Sequence, residues 1–151
     1  LETGMIDESG ALADKEYRLH VTAVTLTQKD IREVQLAKAA IQAGIQLLAL
    51  KMGITIDQIR TVCLAGAFGN YLAPAAACRI GMIPSCLADR IVPIGNAAGA
   101  GARACAISSA AYENSQILAQ STEFLELASL PQFQDCYVDA LAFPEVGNDT
   151  L

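Results

Sequence analysis

The sequence predicts one α/β domain in which helices cover both faces of a mixed sheet. Strand and helix patterns alternate three times along the chain, which is typical of this fold class. The 151 residues are 53% hydrophobic, with a mean hydropathy of +0.36, so the chain can build one core. Two glycine-rich stretches each follow an apolar strand pattern.

In the first half, residues 1–20 predict an irregular arm with a turn at 7–10, because they combine acids and glycine with few apolar side chains. Residues 19–26 alternate and predict a strand. Thr27 and Asp30 have capping-box spacing and predict the start of a long helix, which Gly53 ends. The apolar stripe of this helix is expected at Ile31, Val34, Ile41, Ile45, Leu48 and Met52.

In the second half, residues 55–60 predict a short helical turn and residues 61–66 a strand buried on both faces. Pro74 and Gly81 are expected to bound a helix. The remaining expected elements are a strand at 89–95, a helix at 97–112 capped by Asn96, an extended segment at 121–128, a helix at 130–141 and a frayed tail at 145–151. The main subdomain is expected to cover residues 21–144.

Charge and hydropathy exclude several partners. The net charge is -6 with only 17% charged residues, so no basic surface is expected that could bind nucleic acid. No apolar run reaches the length of roughly 18 residues that a membrane span needs, and the start lacks a signal-peptide pattern. We therefore expect a soluble, cytoplasmic protein. The chain begins without Met, and we expect it to be part of a longer protein.

The cysteines and the single histidine offer little catalytic chemistry. The five cysteines include no C-x-x-C pair, so neither zinc nor an iron–sulfur cluster is expected, and we interpret them as buried free thiols. His20 is expected at a strand edge. Neither a Ser–His–Asp set, a Cys–His pair nor a carboxylate pair can be assembled, so no catalytic residue is assigned.

The glycine-rich stretches are the main functional indication. Gly66 and Gly69 would let the backbone approach a ribose or phosphate, but the same residues suit a tight strand-to-helix turn, and local sequence does not separate the two. The stretch 95–102 lacks the order of G-x-G-x-x-G, which argues against a dinucleotide site. Ligands in such sheets bind beyond the carboxyl ends of the strands, so both stretches can face one crevice.

Lys38 is unusual because it lies in line with the apolar stripe of the long helix, between Val34 and Ile41. A lysine in that position either extends its amino group to solvent or binds an anion. The first is the commoner case.

Five blocks of the sequence resemble, in the same order, the C-terminal region of the reductive activators of corrinoid proteins. They are LTQKDIREVQLAKAAIQAGI, LAGAFGNYL, RIGMIP, VPIGNAAGAGA and FLELASLPQFQDCYVDALAFP. The resemblance covers nearly the whole chain. It implies a ribonuclease H-like half-domain of the superfamily that includes acetate kinase, sugar kinases, heat-shock chaperones and actin. The family consists of ferredoxin-like proteins from anaerobes. Its members carry a two-iron two-sulfur cluster in a separate N-terminal domain.

The resemblance also implies a function and a site. Family members use ATP with magnesium to drive electron transfer to a Co(II) corrinoid protein, which restores Co(I). By analogy, the adenosine pocket is lined by Gly66, Ala67, Phe68, Gly69 and Asn70, supported by Gly95, Asn96 and Gly99, and flanked by Gln35 and Lys38 of the long helix.

This chain departs from the superfamily pattern in lacking an acidic glycine-rich hairpin of the D-x-G type and cluster-type cysteines. We therefore expect the adenosine side of an ATP site without its phosphate or magnesium side, and weak nucleotide binding by this chain alone. Uncovered strand edges predict a homo-oligomer. The alternative is a non-catalytic docking module for a corrinoid protein, in which the glycines only make turns. A sugar or acetate kinase-like phosphotransferase is disfavoured because no acceptor-activating carboxylate is recognisable.

Overall fold

The computed structural model of the chain describes residues 5–14, 16–19 and 23–145, apart from the side chains of three residues within 67–70. The predictions for His20 and for residues 146–151 lie outside this part of the chain. In the described ranges, every helix is too short or too polar to cross a membrane.

Helices dominate the described residues, and four strands there form two separate pairs. The strands are β1 (Glu16–Arg18), β2 (Thr25–Thr27), β3 (Val62–Ala65) and β4 (Ile91–Gly95), and the helices are α1 (Gln28–Lys51), α2 (Gly66–Tyr71), α3 (Pro74–Arg79), α4 (Ala97–Ile107), α5 (Ser109–Ser121) and α6 (Phe133–Asp139). Three 3-10 turns lie at Ile56–Gln58, Ser85–Arg90 and Leu127–Ser129. Strands β1 and β2 are antiparallel, and β3 and β4 are parallel. The predicted α/β class is confirmed.

Helix α1 begins and ends where the sequence predicts. The Thr27 hydroxyl accepts a hydrogen bond from the Asp30 N–H at 3.3 Å, and the Asp30 carboxylate accepts one from the Thr27 N–H at 2.8 Å. These bonds from Thr27 hold the pKa of Asp30 below its ordinary value. At the other end, Gly53 has a φ of +66°, the left-handed conformation that stops a helix.

The buried face of α1 is not the predicted apolar stripe. Val34, Ile41, Leu48 and Met52 are between 40% and 71% exposed, so the prediction is wrong at these four positions. The buried residues are Ile31, Gln35, Lys38, Ala39, Ala43, Gly44, Leu47 and Ala49. The helix is thus turned so that two polar side chains point into the protein.

Those two polar side chains bind backbone carbonyls from both ends of the chain. Gln35 donates from Nε2 to the carbonyls of Ser9, at 3.0 Å, and Leu141, at 2.9 Å. Lys38 is fully buried and donates from Nζ to the carbonyl of Ala142. Its Nζ also lies 5.2 Å from the ring centre of Phe143, at cation–π distance. The expectation that Lys38 reaches solvent is therefore wrong. We call residues 141–144 the C-terminal strap.

A compact apolar cluster surrounds α3 and the turn that follows it. Its buried members are Ala77, Cys78, Met82, Ile83 and Leu87. Pro74 begins α3 and Gly81 ends the segment with a φ of +72°, both as predicted. Ile45, Val62 and Leu64 pack against this cluster, which connects α1 and β3 to it.

Several predicted elements differ from the structure near the chain ends. The strand expected at 19–26 is formed, in the described residues, only at Thr25–Thr27. The arm expected to be irregular contains β1, because Glu16–Arg18 pairs with β2, while the turn at 7–10 is confirmed by the hydrogen bond from the Gly10 N–H to the Asp7 carbonyl at 3.0 Å. The segment expected to be extended at 121–128 runs into the 3-10 turn at Leu127–Ser129.

The long helix predicted over 97–112 is broken at Ser108. This residue has an extended backbone with a φ of -145°, and its hydroxyl accepts a hydrogen bond from the Ala111 N–H at 3.2 Å. Ser108 thus ends α4 and caps α5. The two helices pack against each other and carry no fully buried residue.

The five cysteines are free thiols, as predicted, but only Cys78 is buried. Burial raises the pKa of the Cys78 thiol. Cys63 and Cys86 are exposed, so the expectation of buried thiols is wrong for them. Because Cys63 lies in β3, one face of that strand is also more open than the sequence predicts. Within the described residues, His, Cys, Asp and Glu side chains form no group of three that could hold a metal ion.

Burial gives Lys38 a testable effect on stability. It lowers the pKa of Lys38 below the ordinary value of 10.5, so the native protein releases this proton at a lower pH than the unfolded chain does. Between the two pKa values the unfolded chain binds more protons at this lysine, and the contribution of Lys38 to the free energy of unfolding therefore rises as the pH rises towards 10.5. We expect Lys38→Met to remove this rise, measured by urea denaturation at increasing pH.

The matched control is Lys29→Met, since Lys29 is an exposed lysine of the same helix. This variant should keep the rise. A Lys38→Met protein whose stability followed the same pH curve as the wild type would show that Lys38 is not buried as described.

Candidate functional site

The two glycine turns lie side by side at one edge of the parallel strand pair. Val62 pairs with Ile91 at the start of the strands, and Ala65 pairs with Gly95 at their carboxyl ends. The turns after the two strands use left-handed glycines, with a φ of +72° at Gly66 and +60° at Gly95. Because these positions are neighbours across the pair, both turns open at the same edge, as the sequence predicts.

The first stretch is a helix rather than an open loop. Residues 66–70 form most of α2, which packs against both β3 and β4. A Cβ atom at Gly69 would lie 2.2 Å from the carbonyl oxygen of Leu64, so glycine is required there for α2 to rest on the end of β3. Gly66 has open space around its Cβ position and needs glycine only for its positive φ. The adenosine contacts assigned to Ala67, Phe68 and Asn70 stay predictions, because their side chains lie outside the described part.

The second turn is built around the capping side chain of Asn96. Its Oδ1 accepts a hydrogen bond from the Gly99 N–H at 2.9 Å, which confirms Asn96 as the N-cap of α4. A Cβ atom at Gly99 would lie 2.6 Å from Asn96 Nδ2. Gly99 therefore makes room for the cap, in addition to any contact with a ligand.

A groove of about 450 Å³ runs from this cap along one side of α4. It is lined by Asn96, Gly99, Ala100, Arg103, Ala104 and Ile107, which recur at steps of three and four residues. We call it the α4 groove. All six residues are exposed and belong to the cap and one face of α4, so the groove is shallow and α4 is its one described wall. Two of the predicted site residues, Asn96 and Gly99, lie in it.

The sequence analysis missed four residues of the groove, which are Ala100, Arg103, Ala104 and Ile107, and Arg103 is the charged one. It carries the only charge among the lining residues. Its spacing of seven residues from Asn96 places both on one helix face, and that periodicity could have indicated it. The sequence also distinguishes Arg103 as the charged residue of a glycine- and alanine-rich helix.

Gln35 and Lys38 are not among the residues that line the α4 groove. Their hydrogen bonds go to Ser9, Leu141 and Ala142, so the structure gives them partners within the chain itself. Their predicted place beside an adenine ring stays a prediction.

The packing of α2 predicts opposite effects for two glycines. Gly69→Ala should lower the free energy of unfolding by about 1–3 kcal/mol, because the new methyl group collides with the Leu64 carbonyl. Gly101→Ala should raise it by roughly 0.5–1 kcal/mol, since Gly101 lies inside α4 with open space around it.

Urea denaturation of both variants beside the wild type measures these effects. If Gly69→Ala were as stable as the wild type, α2 would not rest on the end of β3, and Gly69 would be available for a purely ligand-binding role.

Comparison with known proteins identifies the family to which this chain is similar. A family model described as the C-terminal domain of RACo, the ASKHA domain, matches residues 2–151. The solved structure of a reductive activator for corrinoid, iron-sulfur protein superposes with a TM-score of 0.83 at 26% identity, covering 95% of this chain and 26% of that one.

Two curated proteins are also similar in sequence. The corrinoid activation enzyme RamQ of Eubacterium limosum is 38% identical over 115 residues, which cover 76% of this chain and 19% of that protein. The [Co(II) methylated amine-specific corrinoid protein] reductase of Methanosarcina barkeri is 26% identical over 145 residues, covering 95% of this chain and 26% of that protein. The chain thus spans about a fifth to a quarter of the length of these relatives.

Proposed function

This chain belongs to the family of the C-terminal ASKHA domain of RACo, and on that premise we propose that it is the C-terminal part of an ATP-dependent reductive activator of corrinoid proteins. The activator would return a Co(II) corrinoid protein to Co(I). This domain would contribute the adenosine side of the ATP site. The names of the two curated relatives, a corrinoid activation enzyme and a reductase of a Co(II) corrinoid protein, support the proposal.

The observation that carries the proposal is the pairing of Ala65 with Gly95, which sets the two glycine turns beside each other at the carboxyl edge of β3 and β4. Ligands of α/β proteins bind at this edge, where the strands end and backbone groups are not used by the sheet. The α4 groove starts from the second turn, next to its cap.

The residues present fit an adenosine moiety better than a phosphate chain. Ala100, Ala104 and Ile107 give the α4 groove an apolar wall, and Asn96 gives it an amide at one end. The groove has one positive charge, whereas a triphosphate with its magnesium ion needs several charged partners. We propose that another part of the longer protein holds the phosphates and magnesium, and that a further domain holds the two-iron two-sulfur cluster.

The roles of individual residues follow from their positions. Asn96 and Gly99 would contact the nucleoside directly, and Gly66, Gly69 and Gly95 would shape the edge against which it lies. Ala67, Phe68 and Asn70 are proposed to complete the pocket. Gln35 and Lys38 would act by fixing α1. Bound ATP would supply the free energy for the uphill electron transfer, and we place the protein in the cytoplasm.

Obstruction of the α4 groove tests the nucleotide site. Ala100 lines the groove, while Ala102 is an exposed alanine of the same helix that does not. We expect Ala100→Leu to weaken ATP binding to the full-length protein by about tenfold or more, and Ala102→Leu to leave it unchanged. Calorimetric titration of ATP and a non-hydrolysable analogue measures both. Substitution of Gly66 would be less clear, because its φ of +72° strains any other residue.

If the full-length wild type bound no nucleotide, the ATP proposal would fall. The same surface would then be assigned to the alternative function, a docking module for a corrinoid protein in which the glycines only make turns. Equal loss of binding in both leucine variants would place the nucleotide elsewhere on α4.

We further propose that the 151-residue chain by itself forms a homo-oligomer. Val34, Ile41 and Leu48 recur every seven residues on α1 and are 40–48% exposed, and Val92 and Ile94 of β4 are similarly exposed. A second copy would cover these apolar side chains. Light scattering on the chain should give at least the mass of a dimer, and Ile41→Glu should reduce it. A monomer at high protein concentration would contradict this.

A further inference from the structure

We propose that the C-terminal strap and residues 5–14, which we call the N-terminal arm, form one clasp that opens and closes on α1 as a unit while the rest of the domain stays folded. The two segments lie far apart in the sequence, yet the same side chain of α1 binds both. In the proposed longer activator the preceding segment joins the arm, so the clasp would pass a movement of that segment to the strap. Only this consequence rests on the proposed function.

The partner that the two segments share is the side-chain amide of Gln35. Its Nε2 donates to the carbonyl of Ser9 at 3.0 Å and to the carbonyl of Leu141 at 2.9 Å. Gln35 is only 3% exposed. Because one buried amide serves both carbonyls, departure of either segment admits water to the amide and loosens its hold on the other segment.

Further hydrogen bonds join the arm, the strap and α1. The Phe143 N–H donates to the Glu8 carbonyl at 2.9 Å, so the two segments also bind each other directly. Arg32 Nη1 donates to the Ser9 carbonyl at 2.9 Å and to Gln35 Oε1 at 2.6 Å, which fixes the orientation of the shared amide. The clasp is therefore a closed ring of hydrogen bonds in which each segment supports the other.

The strap also completes the surroundings of Lys38. It supplies the carbonyl of Ala142 as an acceptor, and the ring centre of Phe143 lies 5.2 Å from Lys38 Nζ. Lys38 is fully buried in this arrangement. A buried ammonium without a partner is costly, so Lys38 must reach water once the strap leaves. This disfavours a half-open strap and makes its opening an all-or-none step.

The clasp can open separately because its contacts are mostly polar. Among the described residues of the two segments, Phe143 is the one large apolar side chain that is buried, at 7% exposed. The cluster around α3, in contrast, is formed by buried apolar side chains of its own. Segments with few buried apolar contacts open at a lower free energy than the core does. We therefore expect the clasp to open before the cluster unfolds.

Hydrogen exchange in the full-length protein, measured by mass spectrometry of peptides from the arm, the strap and β3, tests the coupling. Phe143→Ala removes the apolar anchor of the strap. We expect it to speed exchange in the strap and in the arm by the same factor, about tenfold or more, and to leave β3 unchanged. The matched control is Phe133→Ala, since Phe133 is a half-buried phenylalanine of α6 outside the clasp. It should leave exchange in the arm unchanged.

A change in the arm should act on the strap in return. A Cβ atom at Gly10 would lie 2.5 Å from Gln35 Oε1, so Gly10→Ala pushes the arm away from the shared amide. We expect faster exchange in the strap as well as in the arm. Gly53→Ala is the control, because its φ of +66° strains an alanine as the +80° of Gly10 does, but its Cβ position has open space. Exchange in the strap should not respond to it.

Three results would overturn the inference. Faster exchange confined to the segment that carries the substitution would show that arm and strap open independently. An equal increase in β3 would show unfolding of the whole domain. Unchanged exchange in both segments of Phe143→Ala would show that the strap is not held as described.

Phe143→Leu keeps an apolar anchor and repeats the test if Phe143→Ala does not fold. It should again speed exchange in the two segments by one common factor, and unequal factors would contradict the clasp. Because these measurements use no nucleotide, absence of ATP binding would overturn the proposed function and leave the clasp standing.

Discussion

The buried polar face of α1 is the interaction on which the rest of this structure depends. Gln35 and Lys38 would be costly inside the protein without partners, and the carbonyls of Ser9, Leu141 and Ala142 would be equally costly without donors. Each set satisfies the other. Two chain segments with little regular structure are thereby fixed to α1, the longest helix in the described part of the chain.

The strap in turn supports the cluster around α3. A Cβ atom at Gly81 would lie 2.9 Å from Pro144 Cγ, so the strap packs closely over the turn that ends the α3 segment. Residues of β3 and β4 pack against that cluster. In addition, Arg90 donates hydrogen bonds from Nη1 to the carbonyls of Asp57 and Ile59, both at 2.6 Å. This clamp holds the amino ends of the strand pair together. The carboxyl ends are then free to diverge into the two turns, which is where the candidate site lies.

Features that depend on neighbouring residues were predictable from the sequence, and features that depend on distant ones were not. The capping box at Thr27, the stop at Gly53 and the cap at Asn96 each involve a few adjacent residues. The buried face of α1 was predicted wrongly because a lysine in an apolar helix face normally reaches solvent, whereas here its acceptor comes from 104 residues away. Periodicity of apolar residues carries no information about such a carbonyl. The break at Ser108 has a local cause, the hydroxyl cap, but the alanine-rich sequence on both sides concealed it.

Each of the four glycines has a structural role, so the glycines by themselves do not indicate a ligand. Gly69 is required by the Leu64 carbonyl and Gly99 by the Asn96 side chain, so neither needs a ligand to explain it. Gly66 and Gly95 provide left-handed turns, which any strand-to-helix connection of this shape would use. What supports the proposed ligand site is therefore the meeting of the two turns at one edge, where the two strands end. The glycine pattern alone is equally consistent with a docking surface, and the proposed nucleotide site rests instead on the position of the two turns.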